Sequence, residues 1–300
     1  MTMVSSALLL GLQYALLALG VYITFRVLNI PDLTVDGSFT LGAAVSAVLA
    51  VAGHPFWGLF AAILCGAAAG CVTGLLQTKA GIHPILAGIL TMSGLYTVNI
   101  TIMGAPNVSL IGKPRFYEFL YTLLPNTNKD MLKTLVVFVI CTALIVLLIF
   151  FFRTVFGLCI RATGNNEDMV RASSINTNVT KIAALAIANA LVALSGGLIA
   201  QTGGFADING GNGMLVVGLA SVIIGEVLFG KRSLAIGLIS AAVGSVIYRL
   251  IIALALKTDF FTADALKLLS AVIIGITLSV PAIRKALSEA RTKREARKNA

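Results

Sequence analysis

The chain has 300 residues, 58% of them hydrophobic and 11% charged. Soluble domains carry about 25% charged residues, so this composition excludes them and leaves an integral membrane protein. The net charge of +10 does not point to nucleic acid, because the basic residues sit between and after apolar runs, as topology signals do.

The apolar runs are continuous rather than alternating, so helices rather than barrel strands are expected. The first span covers 7–25, has no basic stretch before it and reads as a span rather than a cleaved signal. The polar stretch RVLNIPDLTVDGS follows, broken by Pro31. The next run, 37–51, reads as too short to cross a bilayer upright. A third span, 56–76, starts after His54-Pro55 and carries Gly66, Gly70 and Gly74, a tandem GxxxG face suited to close helix packing. KAGIHP turns the chain into a fourth span, 85–103. A loop with Pro106, Pro114 and Pro125 leads to a fifth span, 135–152.

Next comes the longest charged interruption, FRTVFGLCIRATGNNEDMVRASSINTNVTK, residues 152–181. A simple reversal of direction needs only a few residues. This one suggests a docking surface in the water phase, with a short helix over 164–174. A sixth span, 182–200, is followed by the Gly-rich QTGGFADINGGNG, a short run at 214–229 and a GKRS turn. The eighth span, 234–256, has Gly237, Ala241 and Gly244 on a small-residue face. A ninth span is expected at 266–283, then a basic tail. The fold class is therefore an all-α integral membrane protein with about nine (8–10) transmembrane helices.

Lys and Arg set the orientation. With island and tail cytoplasmic, that side gathers Arg26, Lys79, Arg153, Arg161, Arg171, Lys181, Lys231, Arg232 and the tail. The other side keeps Lys113, Arg115, Lys129, Lys133, Lys257 and Lys267. Nine crossings then put the N-terminus outside; a re-entrant second run would move it inside.

LALGVYITFRVLNIPDLTVDGS and LVALSGGLIAQTGGFADINGGNG share an order of features: a span, a polar break and a shortened run. Each shortened run leads into a Gly-rich span. Spans one to four thus match six to nine, and the odd fifth span turns the second copy over. This is the inverted-topology repeat of many transporters, with short broken helices at the substrate path. The divisions are 1–104, the first repeat; 105–152, an extracytoplasmic loop and linking span; 153–181, a cytoplasmic coupling loop; 182–283, the second repeat; and 284–300, the tail.

Path candidates are Asn29, Asp32 and Asp36 in one break and Asp207, Asn209 and Asn212 in the other. As single residues they also suit ordinary turns and caps. Arg249 lies inside the eighth span, where it could meet a substrate carboxylate or snorkel to the interface. Glu226, near the end of the seventh run, is expected to pair with Lys231 or Arg232. GEVLFGKR nearly matches the phosphate-binding GxxxxGK[ST] loop, but Arg232 stands at its last position and the flanks are wrong. His54 and His83 precede prolines in turns. Cys65, Cys71, Cys141 and Cys159 form no CxxC pair and read as small hydrophobes. No catalytic or metal-binding constellation and no cofactor site is expected. A pathway is present without an engine. Energy must come from an ion gradient, for which only Glu226 offers a carboxylate inside a span, or from a separate ATPase docked on the island.

At these residues the chain resembles the permease subunits of ATP-binding-cassette importers of the branched-chain amino-acid and ribose type. Within them it looks like the subgroup assigned to tryptophan, tyrosine and related small solutes. NIPDLTVDGSFTLGAA is similar to the family's N-L-G-x-E-G-x-x-x-x-G-A stretch, with Asp36 at the acidic position and Thr34-Val35 in place of Leu-Gly. IRATGNNEDMVRASSIN resembles the R-A-x-G-x-N-x-x-A-A-x-x-x-G-I-N coupling segment, with Ser174 where the family has glycine. ALVALSGGLIAQTGGFADINGGNG and GLASVIIGE also match family stretches. The resemblance implies a dimer of permease chains, identical or different. It implies cytoplasmic ATP-binding subunits, an extracytoplasmic solute-binding lipoprotein and a location in the bacterial cytoplasmic membrane with a cytoplasmic C-terminus. It implies that Gly164, Asn165, Asn166, Glu167, Asp168, Arg171, Ala172 and Ser174 belong to the segment that meets the ATPase. The chain itself would then be no enzyme, and the solute an amino acid. The competing readings are a stand-alone ion-coupled transporter and a membrane scaffold without transport.

Overall fold

The computed structural model describes residues 3–123, 129–230 and 233–257, with isolated positions at 272, 275 and 279. The expected ninth span, the tail, and Lys231 and Arg232 lie outside the described residues. Eleven helices are described. They are α1 (Met3–Tyr22), α2 (Thr34–Val51), α3 (Pro55–Thr78), α4 (Pro84–Met103), α5 (Phe116–Leu123) and α6 (Lys129–Phe151). α7 (Val155–Asn165), α8 (Glu167–Ala172), α9 (Thr177–Gly203), α10 (Met214–Phe229) and α11 (Leu234–Lys257) complete them. A π-helical segment, Ile23–Val27, extends α1. Seven of these helices are long and apolar enough to cross a membrane, and α10 is a shorter apolar helix. An all-α membrane protein is the result.

The second run departs from expectation. Thr34, Val35 and Asp36 join the helix, so α2 has 18 residues, roughly 27 Å at 1.5 Å per residue. It is long and apolar enough to cross a membrane. Two three-residue strands, β1 (Asn107–Ser109) and β2 (Phe205–Asp207), also pair antiparallel, with Asn107 opposite Asp207. No alternating pattern announced them.

Helix directions follow from cross-contacts. Gln13 of α1 donates to Thr202 near the end of α9, and a side chain on Gly20 would strike Ala188 in the middle of α9. α1 and α9 are therefore antiparallel. α11 packs on α1, and α3 on α9; α2 packs on α3, and α10 on α11.

Close packing rests on glycine where backbones meet. A Cβ on Gly66 or Gly70 would run into Asn189 or Leu185 of α9, and one on Gly74 would lie 2.8 Å from Ile182. Association inside lipid lacks a hydrophobic drive between helices, so such close approach supplies the dispersion contacts. Gly244 does the same against the backbone of Ser221, and Gly237 leaves room for the Tyr22 hydroxyl. Several buried polar groups find partners across helices. Gln201 donates to Ser46 and to Pro55 O, and its Oε1 accepts from Phe116 N. Thr34, Thr73 and Thr91 form a hydroxyl chain linking α2, α3 and α4. Pro55 and Pro84 open α3 and α4 at the position where a missing N–H costs nothing, which leaves His54 and His83 as the residues flanking those helix starts.

Candidate functional site

Two polar features stand out from the apolar frame. The first is the ledge formed by α7 and α8. Asn166 is extended (φ −157°, ψ 100°), so it separates the island into two helices rather than one. Its side chain accepts from Met169 N at 3.0 Å and caps α8. Gly164 and Asn165 therefore end α7, while Glu167, Asp168, Arg171 and Ala172 form α8. Gly164 lies against the backbone of Val27 and Leu28, at the end of the π segment, where a Cβ would overlap Val27 O. Thr163 and Thr180 share a hydrogen bond at 2.9 Å, which fastens α7 to the start of α9.

Glu167 is the internal clamp of the ledge. It accepts from Lys181 at 2.5 Å, from Arg171 at 2.7 Å and from Thr177 at 3.3 Å. Burial would raise its pKa, but the Lys181 hydrogen bond and the Lys181 and Arg171 charges outweigh it and hold the carboxyl below its ordinary range. Glu167 thus faces inward. The outward surface is Asn165, Asp168, Arg171, Ala172, Ser174 and Met169, a residue 59% exposed. Met169 was not singled out by sequence reasoning; an exposed thioether between charged neighbours was the available signal. Ser174 ends the segment at φ +61°, the left-handed conformation for which glycine is the ordinary choice. A cleft of ≈ 540 Å³ lies beside it, lined by Thr78, Arg171, Ser174 and residues 175–178.

The second feature is a cavity of ≈ 350 Å³ between α2, α4 and the loop before α10. Asp36, Gly37 and Thr40 face it from α2. Met92, Ser93, Tyr96 and Asn99 form one stripe of α4, and Ile208 and Asn212 come from the loop. Asp36 reaches across 177 residues to accept from Gly213 N (2.9 Å) and Leu215 N (2.8 Å). It caps the N-terminus of α10, whose own preceding residue is glycine and offers no side chain. Asn99 is 1% exposed, donates to Gly37 O at 3.3 Å, and leaves its Oδ1 without a partner.

The six residues expected in the breaks thus separate. Asp36 and Asn212 line the cavity. Asn29, exposed at φ +56°, makes the turn after the π segment. Asp32 is 1% exposed and accepts from Thr34 N (2.9 Å) and Asn189 Nδ2 (2.7 Å), tying the break to the middle of α9. Asp207 closes β2 and accepts from Asn209 N at 2.7 Å. Asn209 accepts from Asn212 at 3.4 Å. Arg249 lies outside the cavity lining, with its guanidinium 3.9 Å from the Tyr14 ring centroid. Tyr14 in turn stacks on Phe39 of α2. Glu226 forms an ion pair with Arg26, 200 residues away, because α10 ends beside the π segment; its expected partners Lys231 and Arg232 lie outside the described residues. Asp32 is a fully buried carboxylate, since the break folds inward rather than lying in water. Asn99 and Asn189 were passed over, although a polar amide inside an apolar span is itself a signal.

Against this geometry, known proteins give a consistent picture. Residues 3–280 match the family described as branched-chain amino acid transport system / permease component. The chain belongs to that permease family. It is 37% identical over 275 residues to the tyrosine transport system permease protein of Clostridioides difficile (strain R20291), covering 91% of this chain and 90% of that one. It is 33% identical over 214 residues to an uncharacterized protein of Rickettsia prowazekii (strain Madrid E), covering 71% and 73%. Among solved structures, PsaBC from Streptococcus pneumoniae in complex with Fab shares the fold. The TM-score is 0.57 and the identity 14%, over 92% of this chain and 91% of that one. The chain is thus a multi-pass membrane permease of the ATP-binding-cassette importer type, and the two polar features are parts of a transport protein.

Proposed function

We propose that the chain is the translocation subunit of an importer for an aromatic amino acid of the tyrosine type, driven by a separate cytoplasmic ATPase docked on α8. The observation that carries this reading is the ledge itself. Its base is fastened to α1 and α9 by Gly164, Thr163 and Glu167, while its tip presents Met169, Asp168 and Arg171 to water. An element anchored at its base and unpartnered at its tip transmits a push. Val27, beside Gly164, adjoins Arg26, and Arg26 holds the end of α10 through Glu226. The N-terminus of α10 is in turn held by Asp36 at the cavity. One rigid path therefore joins ledge and cavity. The face bearing α7 and α8 is the cytoplasmic one, and the C-terminus lies there too. A second permease chain completes the pathway, and an extracytoplasmic binding protein delivers solute. The tyrosine assignment follows the name of the Clostridioides difficile relative.

Met169→Glu places a charge in the proposed ATPase contact. In proteoliposomes holding the permease and its ATPase, this variant should assemble in the membrane normally but lose ATP-driven uptake of L-tyrosine. Normal uptake by Met169→Glu would overturn the docking assignment. The buried Asp32 keeps the ion-coupled reading in view. That reading requires uptake by the permease alone, abolished by an ionophore.

A further inference from the structure

We propose that the cavity between α2, α4 and the loop before α10 is a transit site for the ammonium group of a small amine-bearing solute, read by the amide oxygen of Asn99. This rests on the permease reading above and names what the pathway recognises.

The volume of ≈ 350 Å³ is at the small end of the roughly 300–1,000 Å³ found for small-molecule sites. The lining is rich in acceptors, and no Lys, Arg or His contributes to it among the described residues. Asn99 is the decisive group. Its nitrogen is committed to Gly37 O, and its Oδ1 is buried without a donor. A buried carbonyl oxygen left unpaired is costly and calls for a partner. The Asp36 carboxylate spends one lone pair per oxygen on the α10 amides, and each oxygen retains further acceptor capacity. A solute that brings several N–H donors on one compact group, as an ammonium does, satisfies these acceptors together. Met92 and the Tyr96 ring offer an apolar wall for the rest of the molecule. The Ser93 and Tyr96 hydroxyls are donors that a solute carboxylate can use. No single contact demands the whole amino acid, so the amine is the recognised feature.

The test uses the complete permease–ATPase complex in nanodiscs without nucleotide. Ser93, which is exposed on the cavity wall, is replaced by cysteine, and the maleimide labelling rate above that of the parent protein is followed. L-tyrosine and tyramine should both slow labelling of Ser93→Cys. 3-(4-Hydroxyphenyl)propionate, which keeps the ring and carboxylate but lacks the amine, should not, nor should sodium chloride. Adding Asn99→Leu should raise the tyramine concentration needed for half-protection about tenfold, as losing one hydrogen bond to a charged group does. Asn99→Asp keeps the size, adds a carboxylate and should lower that concentration, so it decides the matter if Asn99→Leu does not fold. Equal protection by the propionate, protection by sodium chloride alone, no protection by tyramine, or protection unchanged by both Asn99 variants would each overturn the proposal. ATP-driven uptake by the parent complex is scored separately. Its failure would remove the importer reading and leave the labelling result intact.

Discussion

Single residues in this permease do work that their type alone does not reveal. Ser174 sits at φ +61°, where a Cβ is strained and glycine is not. Ser174→Gly should stabilise the chain by about 1 kcal/mol, read as a small rise in Tm of the purified protein. Glu167 holds α8 to α9 through Lys181 and Thr177. Its carboxyl is held below the ordinary value of 4.5, so its contribution is complete above that pH. It is lost as pH falls through the lowered value, when the folded carboxylate takes up its proton. The protection factors of the α8 amides should therefore fall on acidification below pH 4.5, and Glu167→Gln should show low protection at every pH. An α8 that keeps its protection in Glu167→Gln would show that the clamp is dispensable. Asp36 is read from sequence as a path residue, and it does face the cavity. Both of its oxygens are nevertheless engaged with the amides of a helix 177 residues away.

At the scale of elements, the glycine faces separate structural need from composition. Gly70 lies against Leu185 of α9 with no room for a side chain. Gly94 of α4 has nothing within 4 Å of the place its Cβ would take. Gly70→Leu should therefore prevent α3 and α9 from packing and abolish a monodisperse folded peak in detergent. Gly94→Ala should leave the melting temperature equal or slightly higher, because alanine favours a helix interior by roughly 1 kcal/mol over glycine. A neutral Gly70→Leu would mean that helix association here does not depend on close backbone approach. The tandem spacing of Gly66, Gly70 and Gly74 was legible in the sequence, because a period of four places all three on one stripe. Which helix receives that stripe was not, since every span offers a similar apolar surface. The division of the island into α7 and α8 was hidden for a related reason. It depends on the extended backbone of Asn166, a conformation in which its side chain caps α8.

For the whole molecule, polar contacts join the two halves at several levels, and one of them is an ion pair beside the ledge. Arg26 and Glu226 tie the end of α1 to the end of α10 beside the ledge. Arg26→Glu should weaken this tie and lower both stability and coupled ATP hydrolysis. The double variant Arg26→Glu with Glu226→Arg should recover much of the loss. A double-mutant cycle is expected to give a coupling of roughly 1–2 kcal/mol for this partly exposed pair. A coupling near zero would reduce the pair to an incidental contact. Asp32 with Asn189 and Asp36 with α10 also tie the halves, as do Gln13 with Thr202 and Gln201 with Ser46.

Hydropathy and charge determined the membrane class, most span positions, the polar island and the order of features in the two halves. These are local properties: lipid rejects unpaired backbone and charge at each position regardless of what lies beyond it. The resemblance of residues 160–176 to a coupling segment was likewise carried by contiguous residues. Partnership was decided only by the tertiary structure. It sent Asn29 to a turn, Asp32 to α9, Asp36 to the start of α10 and Glu226 to Arg26. It also left Asn99, an amide in an apolar span, as the unsatisfied acceptor of the cavity. Hydrogen bonds and ion pairs reward proximity in space, and residues far apart along the chain carry no local mark of one another. The island, in sequence an interruption between spans, is defined in the fold by its contacts. Glu167 faces in, Met169 faces out, and Gly164 rests on the end of α1.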